Sequence, residues 1–294
     1  MSKPLLLLIT LITTLTTCYS EAEVNGMFVF GSSILDSGNN NYLPNTTARA
    51  DYLPYGLDFP LGPTGRFSNA RNIIDVLGAL LGLPSLIPVF NDPQTRGDKV
   101  IHGVNYASGG SGILNSTGSI STLYSLGARK FVLLNINPNG CAPVVTIQTS
   151  GLCVEPINAA ILLFNARLRL LVDRLRPSML GSKLIYINAY KIIRDIIDDP
   201  THQEEFATFS LDEIPTFEAL RLTCFAEVKQ PCCKVSSNGL CERGGSVCQS
   251  RNSYLYFDGI HVTDAVNALI ARKAYETNSI IEAYPINVKQ LARL

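Results

Sequence analysis

The chain has 294 residues, of which 46% are hydrophobic and 16% are charged, a balance typical of a globular protein and not of a disordered one. Its 24 Lys and Arg residues offset 24 Asp and Glu residues, so the formal net charge at pH 7 is zero. Without excess positive charge there is no electrostatic basis for binding nucleic acid or an acidic membrane, and we expect neither partner.

The N-terminus has the layout of a secretory signal peptide. A positively charged start, an apolar run and then small or polar residues occupy positions 1–22. The apolar run is too short for a membrane-spanning helix, which needs about 20 apolar residues, and no later stretch is long enough. We therefore predict a secreted protein without a transmembrane segment, with one domain over residues 23–294. The chain contains two N-x-S/T sequons, at Asn45 and Asn115. Because such sequons are glycosylated in exported proteins, they predict N-glycosylation at both positions.

The first predicted strand ends close to a candidate nucleophile. A short apolar run at 26–30 predicts a buried strand that leads into a tight turn carrying Ser33. Residues 42–68 contain several prolines and glycines and predict a loop. A helix is predicted over 69–83, with its first residue as the cap. Residues 99–106 then predict a second strand, which ends at a glycine-rich run.

The rest of the chain alternates between apolar runs, which predict strands, and apolar side chains at three- and four-residue spacing, which predict helices. In chain order these are strand 129–135, helix 156–176, strand 183–188, helix 189–197 and helix 265–274. Such alternation indicates an α/β fold with a mainly parallel sheet. In these sheets the active site lies beyond the C-terminal ends of the strands.

The cysteines predict disulfides. Seven remain after the signal peptide, and an oxidising compartment favours their pairing. Cys141 and Cys153 bracket a short segment that a disulfide between them would close. The other five lie between Cys224 and Cys248 and indicate a stapled irregular loop, whose pairing stays open; our candidate for the unpaired thiol is Cys224. A zinc site is the alternative, but the spacing has no paired C-x-x-C knuckle and no nearby histidine.

A serine, a histidine and an aspartate are candidates for hydrolytic chemistry. A serine after a strand is usually a turn former or cap, but a turn after a buried strand presents the Ser33 hydroxyl at the edge of a sheet. Of the three histidines, His102 lies in an apolar stretch and His202 in a polar one. His261 follows Asp258 by about one helical turn, so the carboxylate can hold the imidazole tautomer. The alternative is a helix N-terminal acid followed by a surface histidine.

Several ordered motifs resemble a known family. In chain order they are FVFGSSILDSGNNN at 28–41, GRFSN at 65–69, GVNYASGG at 103–110, LGARKF at 126–131, GCAP at 140–143, the cysteine-rich segment 232–248 and YFDGIHVT at 256–263. Together they resemble the plant GDSL esterase/lipases of the SGNH hydrolase superfamily, whose first block reads F-x-F-G-D-S-x-x-D-x-G-N-N. The resemblance covers nearly the whole chain after the signal peptide.

The resemblance implies a three-layer α/β/α domain that hydrolyses carboxylic esters, often lipid or acyl esters. It implies Ser33 as nucleophile, His261 as general base and Asp258 as the acid that orients the base. The family's oxyanion hole uses the nucleophile's own N–H, a glycine that is Gly109 or Gly110 here, and an asparagine of a third block. Such a site needs no metal and no cofactor. We expect a monomer that acts on a small-molecule or lipid ester.

The chain departs from the family pattern in two places. The aspartate before the nucleophile is replaced by Ser32. The third block, G-x-N-D, is absent, which predicts that one strand–helix unit of roughly 30 residues is missing, together with its oxyanion asparagine. Losing such a donor typically costs ~2.7–4 kcal/mol in the transition state. Asn135 and Asn137 are the candidate substitutes. The alternatives are a catalytically inactive secreted protein and an incomplete gene model.

Overall fold

The computed structural model describes residues 22–112, 119–201 and 225–294, in which strands and helices alternate. The helices are α1 (Ile73–Leu80), α2 (Ile120–Ser125), α3 (Pro143–Thr146), α4 (Glu155–Leu175), α5 (Ala189–Asp198), α6 (Asp264–Glu276) and α7 (Val288–Ala292). The strands are β1 (Lys130–Leu134), β2 (Lys183–Ile187), β3 (Glu227–Pro231), β4 (Tyr254–Tyr256) and β5 (Ala283–Tyr284). The predicted α/β class is confirmed.

The main sheet is mixed. Strand β2 lies between β1, which pairs with it in parallel from Lys130 opposite Lys183, and the short β5, which pairs with it antiparallel. Strands β3 and β4 form a separate parallel pair. The predicted strands at 129–135 and 183–188, and the helices at 156–176, 189–197 and 265–274, agree with the structure to within one or two residues.

Strand β2 is buried on both faces. Ile185 and Ile187 belong to the largest hydrophobic cluster, which also contains side chains of α1, α5 and α6. Leu184 and Tyr186 point the other way, because successive strand residues alternate, and pack with Val172 of α4. Burial on both faces explains why this strand is a continuous apolar run without alternating polar residues.

Helix α1 begins later than predicted. Asn72 caps it by accepting the N–H groups of Ile74 and Asp75, while the Asp75 carboxylate accepts the N–H of Asn72. The predicted cap, Asn69, instead accepts the N–H of Asp264 at 2.9 Å, at the start of α6. A good capping side chain therefore serves a helix that is distant in sequence, which local pattern does not reveal.

The predicted strands at 26–30 and 99–106 are not regular strands in the structure. Val29 and Asn105 form an isolated parallel bridge, and Asn105 also bridges Val89 on its other side. Residues Gly97–Val100, at the start of the second predicted strand, form a 3-10 helix. The supporting backbone bonds run from Met27 N–H to His102 O, Val29 N–H to Val104 O, Tyr106 N–H to Val29 O and Ser108 N–H to Gly31 O.

The outer edge of β1 and the main chain at Phe28 and Phe30 have no hydrogen-bond partner among the described residues. Strand β1 bonds only β2 among the described strands, and the N–H and C=O groups of Phe28 and Phe30 bond no described residue. Val132, Phe28 and Phe30 are 41%, 61% and 40% exposed. Val29 and Leu134 nevertheless pack in the same hydrophobic cluster. In the described residues, the segment bridged at Val29 and Asn105 therefore shares a core with the β1-β2-β5 sheet but no ladder.

Some predictions concern segments outside the described residues. These are the signal peptide at 1–22, apart from its last residue, and the sequon at Asn115. The other sequon residue, Asn45, is exposed. Across 22–112, 119–201 and 225–294, no helix has both the length and the apolarity to cross a membrane.

The predicted disulfides are present and their pairing is defined. The three bonds are Cys141–Cys153, Cys232–Cys248 and Cys233–Cys241. These sulfurs are bonded to each other, so they do not act as thiolate ligands of zinc. Over the described ranges, no cluster of three or more His, Cys, Asp or Glu side chains could hold a metal ion. Cys224 lies outside them.

Candidate active site

The three residues proposed for catalysis form one continuous hydrogen-bond chain. Ser33 Oγ lies 2.8 Å from His261 Nε2, although 228 positions separate them in sequence. On the other side of the ring, His261 Nδ1 lies 2.8 Å from Asp258 Oδ2. Asp258 and His261 are buried, whereas Ser33 is only partly buried. A hydroxyl, an imidazole and a carboxylate in this order are the groups that a serine hydrolase uses as nucleophile, base and orienting acid.

The nucleophile turn is held by backbone groups. The Ser32 carbonyl accepts the N–H groups of Leu35 and Asp36, each at 3.1 Å, which closes a tight turn around Ser33. The Ser32 hydroxyl bonds no described residue. Replacing the family's aspartate with Ser32 therefore leaves the turn closed by main-chain hydrogen bonds.

Asp36 ties this turn to the glycine-rich segment. Its carboxylate is fully buried and accepts the N–H groups of Gly38 and Asn39 at 2.7 Å and of Gly109 at 2.9 Å. Burial raises the pKa of the Asp36 carboxyl above its usual value, although the backbone hydrogen bonds oppose the rise. Because the Gly109 N–H is bound to Asp36, it is not available to an oxyanion.

Of the two candidate oxyanion glycines, Gly110 is the one whose N–H has no hydrogen-bond partner in the described residues. The N–H groups of Gly110 and Ser33 bond no group in the described residues. Gly110 has φ of 87°, a left-handed conformation that favours glycine. Gly109 is a glycine for another reason, since a Cβ there would approach Asn40 Nδ2 to 2.6 Å and the Phe67 ring to 3.1 Å.

Three asparagines, Asn39, Asn40 and Asn105, brace the turn at Ser33, a role that the sequence motifs containing them did not indicate. Asn39 Nδ2 donates to the carbonyls of Asn105 and Ala107. Asn40 Nδ2 donates to the carbonyl of Gly109. Asn105 Nδ2 donates to the Leu35 carbonyl at 2.7 Å. These side chains bind main-chain carbonyls around the turn, and the Asn105 carbonyl also accepts the N–H of Phe90. The run of asparagines at 39–41 was the available signal for two of the three.

The Asn135 side chain, one of the two candidate oxyanion asparagines, is occupied within the fold. Its amide nitrogen donates to Tyr186 Oη at 2.7 Å and to Asn188 Oδ1 at 2.8 Å. Its side-chain oxygen accepts the N–H of Tyr190 at 3.0 Å. Both amide hydrogens and the amide oxygen of this buried side chain therefore have partners, and they connect the end of β1 to β2 and to the start of α5. Asn137 has a buried side-chain oxygen without a hydrogen-bond partner in the described part of the chain.

The orienting carboxylate is held on both oxygens. Asp258 Oδ1 accepts the N–H groups of Ile260 and His261, each at 2.7 Å. Asp258 Oδ2 accepts the hydroxyl of Tyr55 at 2.6 Å. Burial and the neighbouring carboxylate raise the pKa of Tyr55 far above its usual value, so the phenol stays protonated and donates. Tyr55 lies in the predicted loop 42–68, where nothing in the sequence marked it.

An ion pair fixes the helix that follows the histidine. Arg71 Nε and Nη2 bind the two carboxylate oxygens of Asp264 at 2.8 and 2.7 Å. Asn267 Nδ2 donates to the Arg71 carbonyl. The start of α6 is therefore attached to the segment before α1. This attachment places the Asp258–His261 turn next to the rest of the site.

The family model described as GDSL-like Lipase/Acylhydrolase matches residues 117–274, more than half of the chain. The chain belongs to this family. The matched segment contains Asp258 and His261, and Ser33 lies on its N-terminal side. The resemblance read from the sequence motifs is thereby confirmed.

Curated relatives align over nearly the full length. GDSL esterase/lipase At1g29670 of Arabidopsis thaliana is 31% identical, with 94% of this chain and 93% of the relative covered. At4g16230 is 30% identical at the same coverage, and At5g45670 is 28% identical over 100% of this chain and 99% of the relative. The first alignment is 362 residues long, whereas this chain has 294. At1g29670 therefore has positions in this alignment that have no counterpart in the 294-residue chain.

Proposed function

We propose that the protein hydrolyses carboxylic esters, lipid or acyl esters among them, through Ser33, His261 and Asp258. The observation that carries the proposal is the unbroken chain of hydrogen bonds from Ser33 Oγ through the imidazole to Asp258. The relatives' name, GDSL esterase/lipase, supports the same reaction class.

The geometry fits an acyl-enzyme mechanism. Ser33 Oγ attacks the ester carbonyl while His261 Nε2 accepts its proton and then passes it to the leaving alkoxide. Asp258 holds the imidazole with Nδ1–H toward the carboxylate and stabilises the imidazolium. A water then attacks the acyl-enzyme, with His261 again as base, and releases the acid and free Ser33.

Oxyanion stabilisation is the weak part of this site. The N–H groups of Ser33 and Gly110 are the proposed donors. Neither the Gly109 N–H nor the Asn135 amide is free to join them. One missing donor typically lowers kcat by about 10²–10³-fold, so we expect slow turnover by a site whose proton-transfer groups are intact.

The resemblance to the family also supports a proposal for the domain organisation, the oligomeric state and the location of the protein. We propose one α/β/α domain over 23–294, with one strand–helix unit absent, and a monomeric secreted protein. The three disulfides support an oxidising compartment. The layout of residues 1–22 supports export.

The test uses the purified mature protein with a fluorophosphonate probe and p-nitrophenyl esters of several chain lengths. We expect the wild type to be labelled and to hydrolyse at least one ester, and Ser33→Ala to do neither. Ser32→Ala is the matched control, because it removes a neighbouring hydroxyl that bonds no described residue; it should keep labelling. Folded wild type that is never labelled would contradict the proposal.

A second candidate function is a catalytically inactive secreted protein. The specific observation in its favour is that the Gly109 N–H and the Asn135 amide, two of the candidate oxyanion donors, are bound within the fold. Circular dichroism separates the two candidates when combined with the labelling assay. A wild type with a cooperative melting transition, no probe adduct and no ester turnover supports the inactive protein.

A further inference from the structure

We infer that Tyr55 is a positioning residue for catalysis: its phenol holds Asp258 in line with His261, and the Cys233–Cys241 loop holds the phenol. The inference rests on the proposed function of the Ser33 site. It adds to that function a residue from outside the family motifs and a reason for the nearby disulfide.

The first step is the geometry at the carboxylate. Asp258 Oδ2 is the oxygen closest to His261 Nδ1, at 2.8 Å. The same oxygen accepts the Tyr55 hydroxyl at 2.6 Å, across 203 positions of sequence. Backbone N–H groups bind only the other oxygen, Oδ1. Tyr55 is therefore the described group, apart from His261 itself, that fixes the oxygen facing the imidazole.

The second step is the chemistry of the donor. Asp258 is fully buried, and a buried carboxylate requires hydrogen-bond donors to offset its lost hydration. A phenol supplies one without adding positive charge. A lysine or arginine at that place would compete with the imidazolium for the carboxylate. The raised pKa of Tyr55 keeps it a neutral donor across the physiological range.

The third step is what holds Tyr55. Its hydroxyl accepts the N–H of Cys241 at 3.0 Å, and Cys241 is joined to Cys233 by a disulfide. The ring is fully buried between Phe67 and Phe257, at centroid distances of 6.0 and 5.7 Å in edge-to-face contacts. Both the hydroxyl and the ring are thereby held in place.

The same aromatic packing reaches the base. The Phe67 ring lies 4.8 Å from the His261 ring, centroid to centroid, and touches Tyr55 on another side. Tyr55 therefore contacts the dyad in two ways, directly through Asp258 and indirectly through Phe67. Replacing it with phenylalanine keeps the ring packing and removes only the hydroxyl, together with its two hydrogen bonds, to Asp258 Oδ2 and from the Cys241 N–H.

The chain offers a matched control in Tyr52. Its hydroxyl also binds Cys241, but at the carbonyl oxygen, at 2.8 Å. Its ring packs edge-to-face on Tyr55, with centroids 5.3 Å apart. Tyr52→Phe removes a phenol from the same loop without touching Asp258. A structural role of the loop affects both variants, whereas positioning of Asp258 affects only Tyr55→Phe.

The experiment compares Tyr55→Phe and Tyr52→Phe for p-nitrophenyl ester turnover and for the NMR resonance of the His261 Nδ1 proton. That resonance is identified by its disappearance in His261→Gln. We expect Tyr55→Phe to lower kcat about 10-fold with little change in KM, the size expected for one hydrogen bond to a charged group, and to shift the resonance. Tyr52→Phe should leave kcat and the resonance unchanged.

Failure of the Tyr55 inference can be distinguished from failure of the proposed function. Unchanged kcat and resonance in Tyr55→Phe overturn the inference, as do equal losses in both variants. If the wild type turns over no ester, the proposed function fails, and the Nδ1 proton resonance still tests the positioning of Asp258. If Tyr55→Phe does not fold, 3-fluorotyrosine at position 55 keeps the shape while making the phenol a stronger donor; it should shift the resonance, and no shift overturns the inference.

Discussion

The turns around Ser33 and Asp258 differ from the outer edge of β1 in how many hydrogen bonds hold them. At the turns, Asp258 accepts four hydrogen-bond donors and Asp36 accepts three backbone N–H groups. By contrast, the outer edge of β1 and the main chain of Phe28 and Phe30 have no hydrogen-bond partner among the described residues. Ser33, His261 and Asp258 are therefore held by turns and side chains that do not depend on a continuous sheet.

This difference shows how Ser33, His261 and Asp258 stay connected in a chain without the G-x-N-D block. The turn at Ser33 is attached to the 105–109 segment, and the turn at Asp258 is attached to Tyr55. The strand–helix unit that we propose to be absent would supply an oxyanion donor, but none of the hydrogen bonds that join these three residues depends on it.

The largest expected effect is at the carboxylate. Asp258→Asn should lower kcat for p-nitrophenyl esters by about 10⁴-fold, because the imidazole loses the partner that sets its tautomer. Asp195→Asn is the control, because it makes the same chemical change at an exposed aspartate of α5 that pairs with Lys191 and makes no contact with Asp258 or His261. A loss of less than about ten-fold in a folded Asp258→Asn protein would show that Asp258 does not orient the base.

The next test compares paired and unpaired strands. Ile185→Ala on β2 should cost ~2–5 kcal/mol of unfolding free energy, because that side chain is 1% exposed and its loss leaves a cavity. Val132→Ala on β1 should cost less than ~1 kcal/mol, since Val132 is 41% exposed. Urea unfolding measures both. Equal costs would mean that the β1 edge is covered in solution.

Removing disulfides should separate stability from activity. By loop-closure entropy, Cys233→Ser with Cys241→Ser, or Cys141→Ser with Cys153→Ser, should each cost about 2–3 kcal/mol of unfolding free energy. Only the first pair should also lower kcat, because Cys241 holds the Tyr55 hydroxyl. Thermal melts and ester turnover provide the two readouts. A similar fall in kcat for both pairs would contradict a specific link between this disulfide and the site.

The smallest effect on unfolding free energy is expected at the surface ion pair of Arg194 and Glu155, which belongs neither to the turns around Ser33 and Asp258 nor to the edge of β1. The Arg194 hydrogen bond lowers the pKa of Glu155 below its usual value. A lowered carboxyl pKa adds stability above the unfolded-state value and loses it as the pH falls through the folded value. Glu155→Gln should therefore cost no more than ~0.5 kcal/mol at pH 7, because the pair is solvent-screened, and the difference should shrink as the pH falls below the unfolded-state carboxyl pKa and vanish below the lower folded-state pKa. Urea unfolding at neutral and at low pH measures it, and a difference that persists at low pH would contradict it.

The elements that could be predicted from sequence are those with a strong local pattern. The apolar run of β2 and the three- and four-residue spacing in α4 gave bounds within two residues of the structure. The start of α1 was wrong because Asn69, a good cap by composition, binds α6. Among the oxyanion candidates, sequence did not distinguish Gly109 from Gly110. The distinction depends on which N–H Asp36 binds.

By itself, the sequence determined the family, the α/β class, the use of disulfides and the identity of the three residues that the structure brings together. Each of these depends on residue types at short spacing, or on the order of motifs along the chain. The tertiary structure decided the cysteine pairing, the role of Asn135, the unpaired edge of β1 and the contact of Tyr55 with Asp258. Those features join positions up to 203 residues apart, and such distances are set by the path of the whole chain and not by neighbouring residues.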